Sequence, residues 1–79
     1  MVKVEIYTWQ SCPFCNRAKA LLDLKGVKYI EYGIDGDQNA RMAMAERAEG
    51  RTSVPQIFID NQGIGGCDEL HALEAKKLL

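Results

Sequence analysis

Apolar and polar residues alternate from Val2 to Tyr7, with Val2, Val4 and Ile6 set against Lys3, Glu5 and Tyr7. A period of two predicts a strand. The period then changes. From Pro13 to Lys25 the residues Cys15, Ala18, Leu21, Leu22 and Lys25 recur at helical spacing, and Gly26 stands where a helix is commonly closed. "GVKYIEYGI" supplies a second strand, Val27 to Ile34. Strand, helix and strand in that order predict a right-handed crossover joining a parallel pair.

"DGDQNARMAMAERAEG" offers Asp37 as a helix cap and continues through Met42, Ala45 and Ala48 until Gly50 ends the helix. "VPQIFIDNQGIGG" reads as a strand Gln56 to Ile59, a turn at Asp60 to Gly63 and a short return strand at Ile64, which so tight a turn makes antiparallel. "CDELHALEAKKLL" closes the chain as an amphipathic helix, with Asp68 as its cap and Leu70, Leu73 and Lys77 in one stripe. The expected architecture is α/β, in the order β-α-β-α-β-β-α, with a four-stranded mixed sheet flanked by three helices.

At 79 residues the chain makes one domain, 1–79, burying about 60% or a little more of its unfolded surface. With 47% apolar and 27% charged residues it has a globular rather than a disordered composition. A net charge of −1 gives no long-range reason to bind nucleic acid or an anionic membrane. No apolar run approaches the ~18 residues of a membrane span, and the opening stretch is too short and too alternating for a signal peptide. The expectation is a cytoplasmic protein without internal repeats or linkers. Three cysteines, an odd number, do not suit a disulfide-stapled miniprotein, whereas a C-x-x-C beside a βαβ pattern reads as a redox motif.

That motif is "SCPFC", at the junction of the first strand and the first helix. A cysteine is a useful nucleophile only as a thiolate, and a helix start favours that charge. Cys12 occupies the place. Pro13 suits the first helical position, which leaves the amides of Phe14 and Cys15 free to point back at the Cys12 sulfur. Arg17 and Lys19 add positive charge a turn further on. Cys12 and Cys15 are neighbours on one side of the first turn, within the short separation that a disulfide demands. On this reading Cys12 attacks and Cys15, deeper in the helix, resolves. Two other readings compete: a pair of inert core cysteines, and a zinc site completed by Cys67 and His71. Against zinc, the two half-sites open two different helices and the first pair is followed by a helix rather than a knuckle.

Two further stretches matter. In "TSVPQIFI" the proline precedes a strand and frees a backbone position from the ladder, in either a trans or a cis Val54–Pro55 arrangement. In "GIGGCDEL" two glycines allow close backbone approach, and the amides of Cys67 and Asp68 at a helix start suit a carboxylate.

"CPFC", "TSVPQIFID" and "GGCDEL", in this order and within these elements, resemble a dithiol glutaredoxin of the thioredoxin-fold superfamily across essentially the whole chain. The resemblance implies a thioredoxin-like fold and glutathione as co-substrate. Cys12 would attack a protein–glutathione mixed disulfide and keep glutathione as an adduct. Cys15 would close an internal Cys12–Cys15 disulfide, reduced in turn by glutathione and, indirectly, by glutathione reductase. The glutathione groove would comprise Cys12, Phe14, Ser53, Val54, Pro55, Gly66, Cys67 and Asp68, with the Val54 backbone pairing with the glutathione cysteine beside a cis Pro55. Cys67 and Asp68 would take the γ-glutamyl end.

The chain departs from the family pattern at Trp9, where many members carry lysine, and Arg51 is the expected replacement cation, with Arg17 as further charge support. Ser53 stands for the usual threonine. Cys67 reads as a small helix-start residue rather than a third redox thiol. The expected partners are glutathione and glutathionylated or disulfide-containing proteins, with the chain monomeric and no metal required. The alternatives are a glutaredoxin dimer holding a [2Fe–2S] cluster, a thioredoxin-like electron carrier, and a non-catalytic docking domain.

Overall fold

The computed structural model describes residues 3–76, so that Val2 of the first alternation and Lys77 of the last stripe lie outside it. The elements follow in the order β1 (Val4–Thr8), α1 (Pro13–Leu24), β2 (Ile30–Gly33), α2 (Gln38–Arg47), β3 (Gln56–Ile59), β4 (Gln62–Gly65) and α3 (Cys67–Ala75). One mixed sheet runs β2-β1-β3-β4, with β1 parallel to β2 and antiparallel to β3, and β3 antiparallel to β4. The strand–helix–strand pattern therefore produces the parallel pair, and the tight turn produces the antiparallel one. Among the described residues no helix is long and apolar enough to cross a membrane.

Both faces of the sheet are covered. On one, Val4, Ile6 and Ile57 pack with Ala18, Leu21 and Leu22 of α1 and with Cys67 and Leu70 of α3. On the other, Tyr7 and Phe58 pack with Met44 of α2, with Ala48 at its C-cap and with Ile34. All five residues of β1 are consequently buried, including Glu5 at 3% exposure. A carboxylate in that position needs a partner. Arg47 of α2 provides it, its Nη2 lying 3.0 Å from Glu5 Oε1, while the Tyr32 hydroxyl donates to Glu5 Oε2 at 2.8 Å. The same guanidinium donates to the Tyr7 hydroxyl at 2.9 Å and lies 4.1 Å from the centre of the Phe58 ring. Arg47 first, through its hydrogen bonds, and Tyr32 after it hold the Glu5 carboxyl below its ordinary range against the opposing effect of burial.

Several boundaries differ from those the sequence predicts. The second strand is Ile30–Gly33 rather than Val27 to Ile34, because the Val27 amide is used in closing α1 by donating to the Leu22 carbonyl at 2.9 Å. On α2, Asp37 caps as expected, accepting from the Ala40 amide at 2.9 Å, but Met42 is 64% exposed and Met44 is buried in its place. "RMAMA" has apolar side chains on both sides of the helix, and the side with Arg47 and Ala48 faces the sheet. The β3–β4 turn needs only Asp60 and Asn61, both at positive φ, the arrangement of a two-residue hairpin. Gly66, not Asp68, caps α3: Gly66 is extended, and Glu69 reaches back to accept from its amide at 2.6 Å. Asp68 lies inside the first turn, where its charge complements the helix dipole.

Candidate active site

Cys12 is the N-cap of α1, with extended backbone at φ −119° and ψ 107°, and Pro13 begins the helix after it. The Cys15 amide, one of the donors left free by a helix start, gives its hydrogen bond to Cys12 Sγ at 3.2 Å. The residues differ in access. Cys12 keeps 8% of its surface exposed and Cys15 none, so the sulfur that can meet a partner from outside is that of Cys12. Burial, reinforced by the adjoining Cys12 side chain, pushes the Cys15 thiol up to about 12, with the Trp9 backbone and Lys19 acting in the opposite direction. All three cysteines are free thiols.

Two loops complete the surroundings. Cys12 Sγ faces the Val54 carbonyl at 3.9 Å, and the Val54–Pro55 peptide is cis. Gly66 brings the start of α3 against this turn: a Cβ there would stand 3.2 Å from the Pro55 carbonyl oxygen. Gly65, at φ +106°, holds a backbone conformation that residues with side chains rarely adopt, and a Cβ there would meet the Glu69 side chain at 2.7 Å. The result is an open groove of about 210 Å³. Phe14, Arg51, Ser53, Val54, Pro55, Gly66, Cys67 and Asp68 line it together, as do Gln56 and Glu69, which are not among the groove residues expected from the sequence. The Glu-three-after-Gly spacing is half of a capping box and is the signal by which Glu69 is recognisable.

Cys12 and Arg17 are not in the lining: Cys12 adjoins it through the Val54 carbonyl, and the Arg17 guanidinium lies 5.9 Å from the centre of the Phe14 ring, which is 53% exposed. Trp9 has an unexpected companion in Arg41 of α2, whose guanidinium lies 5.0 Å from the centre of the indole and whose Nε donates to the Thr52 carbonyl at 3.2 Å. Arg51 lines the groove, whereas Arg41 stands on Trp9, three residues before Cys12. Burial raises the Cys67 thiol, opposed chiefly by the charge of Arg17. His71 is half-buried on α3, and among the described residues no group of three or more His, Cys, Asp and Glu side chains gathers as metal donors.

Two cysteines carried in this way at the head of a helix, on a mixed sheet covered on both faces, define a thiol–disulfide oxidoreductase class with a thioredoxin-like fold. Within that class the glutaredoxin family model matches residues 4–64. A probable glutaredoxin of Synechocystis is 70% identical over 74 residues, covering 94% of this chain and 68% of the relative. Glutaredoxin 3 of Escherichia coli is 59% identical over 76 residues, covering 96% and 90%. The crystal structure of a buckwheat glutaredoxin–glutathione complex superimposes with a TM-score of 0.87 at 26% identity, covering 99% of this chain and 73% of that one. The chain belongs to the glutaredoxin family.

Proposed function

We propose that the chain is a glutathione-dependent thiol–disulfide oxidoreductase that reduces protein–glutathione mixed disulfides and protein disulfides. The observation that carries this reading is the placement of Cys12 Sγ, which receives a helix-start amide on one side and faces the carbonyl of the groove-lining Val54 on the other. The glutathione complex of the buckwheat relative supports the groove's assignment. In the groove Phe14 supplies an apolar wall, the free amides of Cys67 and Asp68 receive the γ-glutamyl carboxylate, and the Asp68 carboxylate receives the amine. Arg41 and Arg51 offer positive charge to the opposite carboxylate.

The chemistry is exchange. The Cys12 thiolate attacks the glutathione sulfur of a mixed disulfide; the new bond joins Cys12 to glutathione, the old one breaks, and the protein leaves as a thiolate that takes up a proton. A second glutathione attacks the adduct, leaving as glutathione disulfide and returning Cys12. With a protein disulfide, the Cys12 thiolate attacks one substrate sulfur and releases the other; Cys15 then attacks the Cys12 sulfur and expels the substrate as a thiolate, and two glutathiones reduce the Cys12–Cys15 bond, leaving as glutathione disulfide. Such a cycle belongs to a compartment whose glutathione is kept reduced, such as the cytoplasm.

The electron source tests the proposal. With a glutathionylated protein as substrate, turnover is compared between glutathione with glutathione reductase and NADPH, and thioredoxin reductase with NADPH. The proposal predicts the first; a preference for the second moves the chain to thioredoxin-like electron carriage.

A further inference from the structure

The proposed dithiol route, on which this inference rests, requires Cys15 to lose a proton inside the protein. In ring closure the Cys15 thiolate attacks the Cys12 sulfur of a Cys12–glutathione disulfide. The Cys12–Cys15 bond forms, the bond to glutathione breaks, and glutathione leaves as a thiolate that takes up the proton released from Cys15. The two cysteines are oxidised and the glutathione sulfur is reduced. Yet Cys15 is wholly buried, and burial opposes the charge the step needs.

Lys19 stands four residues after Cys15 on the same side of α1. Helical side chains lean toward the N-terminus, so Lys19 covers the turn that carries Cys15. It is not free in solvent: its side chain is 25% exposed, and Nζ donates to Glu31 Oε2 at 3.0 Å. The same carboxylate oxygen accepts from the hydroxyl of Thr8, a 1% exposed residue, at 2.6 Å. Thr8 ends β1, and the next residue is Trp9, whose backbone acts on the Cys15 sulfur. Thr8, at the end of β1, therefore anchors the Lys19–Glu31 pair just before the loop that leads into α1 and its two cysteines.

We propose that Lys19 is a positioning residue for Cys15, its ammonium favouring the buried thiolate during ring closure, and that Glu31, pinned by Thr8, sets how much of that charge Cys15 feels. The groups acting on the Cys15 sulfur are Cys12 on its own helix, which opposes ionisation, and the Trp9 backbone and Lys19, which favour it. Tyr29 and Asp23 face the Lys19–Glu31 pair. Lys19 and Glu31 carry opposite charges, so that removing one or the other is expected to change the field at Cys15 with opposite sign.

That opposition is the test. The Cys12 adduct is prepared with glutathione disulfide in the full chain, and glutathione release on ring closure is followed by stopped flow from neutral to alkaline pH. Lys19→Met is expected to move the half-maximal rate to higher pH by about half a unit to one unit, a partly screened charge effect. Lys19→Arg restores the original profile. Glu31→Gln keeps a carbonyl for Thr8 and Lys19 but removes the negative charge, and moves the profile to lower pH; it carries the test even where loss of Lys19 disturbs α1. A single profile for all four proteins, or movement of both Lys19→Met and Glu31→Gln in the same direction, overturns the proposal. Failure of the unaltered chain to form the adduct overturns the glutathione reading along with it.

Discussion

The Arg41 guanidinium lies over the Trp9 indole, 5.0 Å from its centre, although the two residues belong to a loop after β1 and to α2. The stack places a fixed positive charge beside the position where the family pattern leads one to look for a lysine. Arg41→Ala is expected to raise KM for a glutathionylated substrate about fivefold, the equivalent of ~1 kcal/mol for a partly exposed ion pair, with little change in kcat. Steady-state kinetics check this; an unchanged KM assigns the role to Arg51 instead.

The Glu5–Arg47 pair sets a stability prediction. Arg47→Ala leaves a 3% exposed carboxylate without its main partner, and is expected to cost about 2–3 kcal/mol, below the ~3–5 kcal/mol of fully buried pairs because the Arg47 side chain is 30% exposed. Urea unfolding measures it. Adding Glu5→Gln to Arg47→Ala should recover part of the loss, since no charge then remains to be solvated.

The same pair fixes an acid limb. Glu5 is held below its ordinary value of 4.5 chiefly by Arg47. A carboxyl depressed on folding contributes stability that is fully present above its unfolded value and is lost as pH falls through its folded one. Stability should therefore decline below about pH 4.5, and the decline should be shallower in Glu5→Gln. Urea midpoints across the acid range decide this, and equal slopes in the two proteins would remove Glu5 as the cause.

Gly66→Ala probes the joint between two site loops. Its φ of −107° suits alanine, so the effect comes from contact: the new methyl meets the Pro55 carbonyl at 3.2 Å and must push α3 away from the Val54–Pro55 turn. KM for a glutathionylated substrate is expected to rise roughly three- to tenfold, ~0.7–1.4 kcal/mol, with about 1 kcal/mol or less lost from folding. Kinetics and urea unfolding on one preparation separate the two effects.

The legible parts of this molecule are those whose causes are local in sequence. Pro13 after Cys12, the Asp37 cap and the alternation of β1 each act within a turn or a strand, and each appears in the structure where the sequence puts it. The Arg47–Glu5 clamp joins residues 42 apart, and a polar residue alternating with valine and isoleucine gives no sign that α2 covers that face. The Met42–Met44 exchange has the same origin, because the buried side of α2 is chosen by the sheet beneath it. Arg41 meets Trp9 only through that docking, so Arg51, close to Val54 in sequence, is the more visible cation. The Gly66 cap depends on how Glu69 folds back, which competes with the nearer Asp68.

The central claim is a division of labour between two sulfurs, and reduction of a glutathionylated protein by Cys12→Ser and Cys15→Ser tests it most directly, alongside reduction of an intramolecular protein disulfide. Cys12→Ser should lose both activities, whereas Cys15→Ser should retain the first and lose most of the second. Turnover by Cys12→Ser, or loss of both activities in a folded Cys15→Ser, would contradict the account.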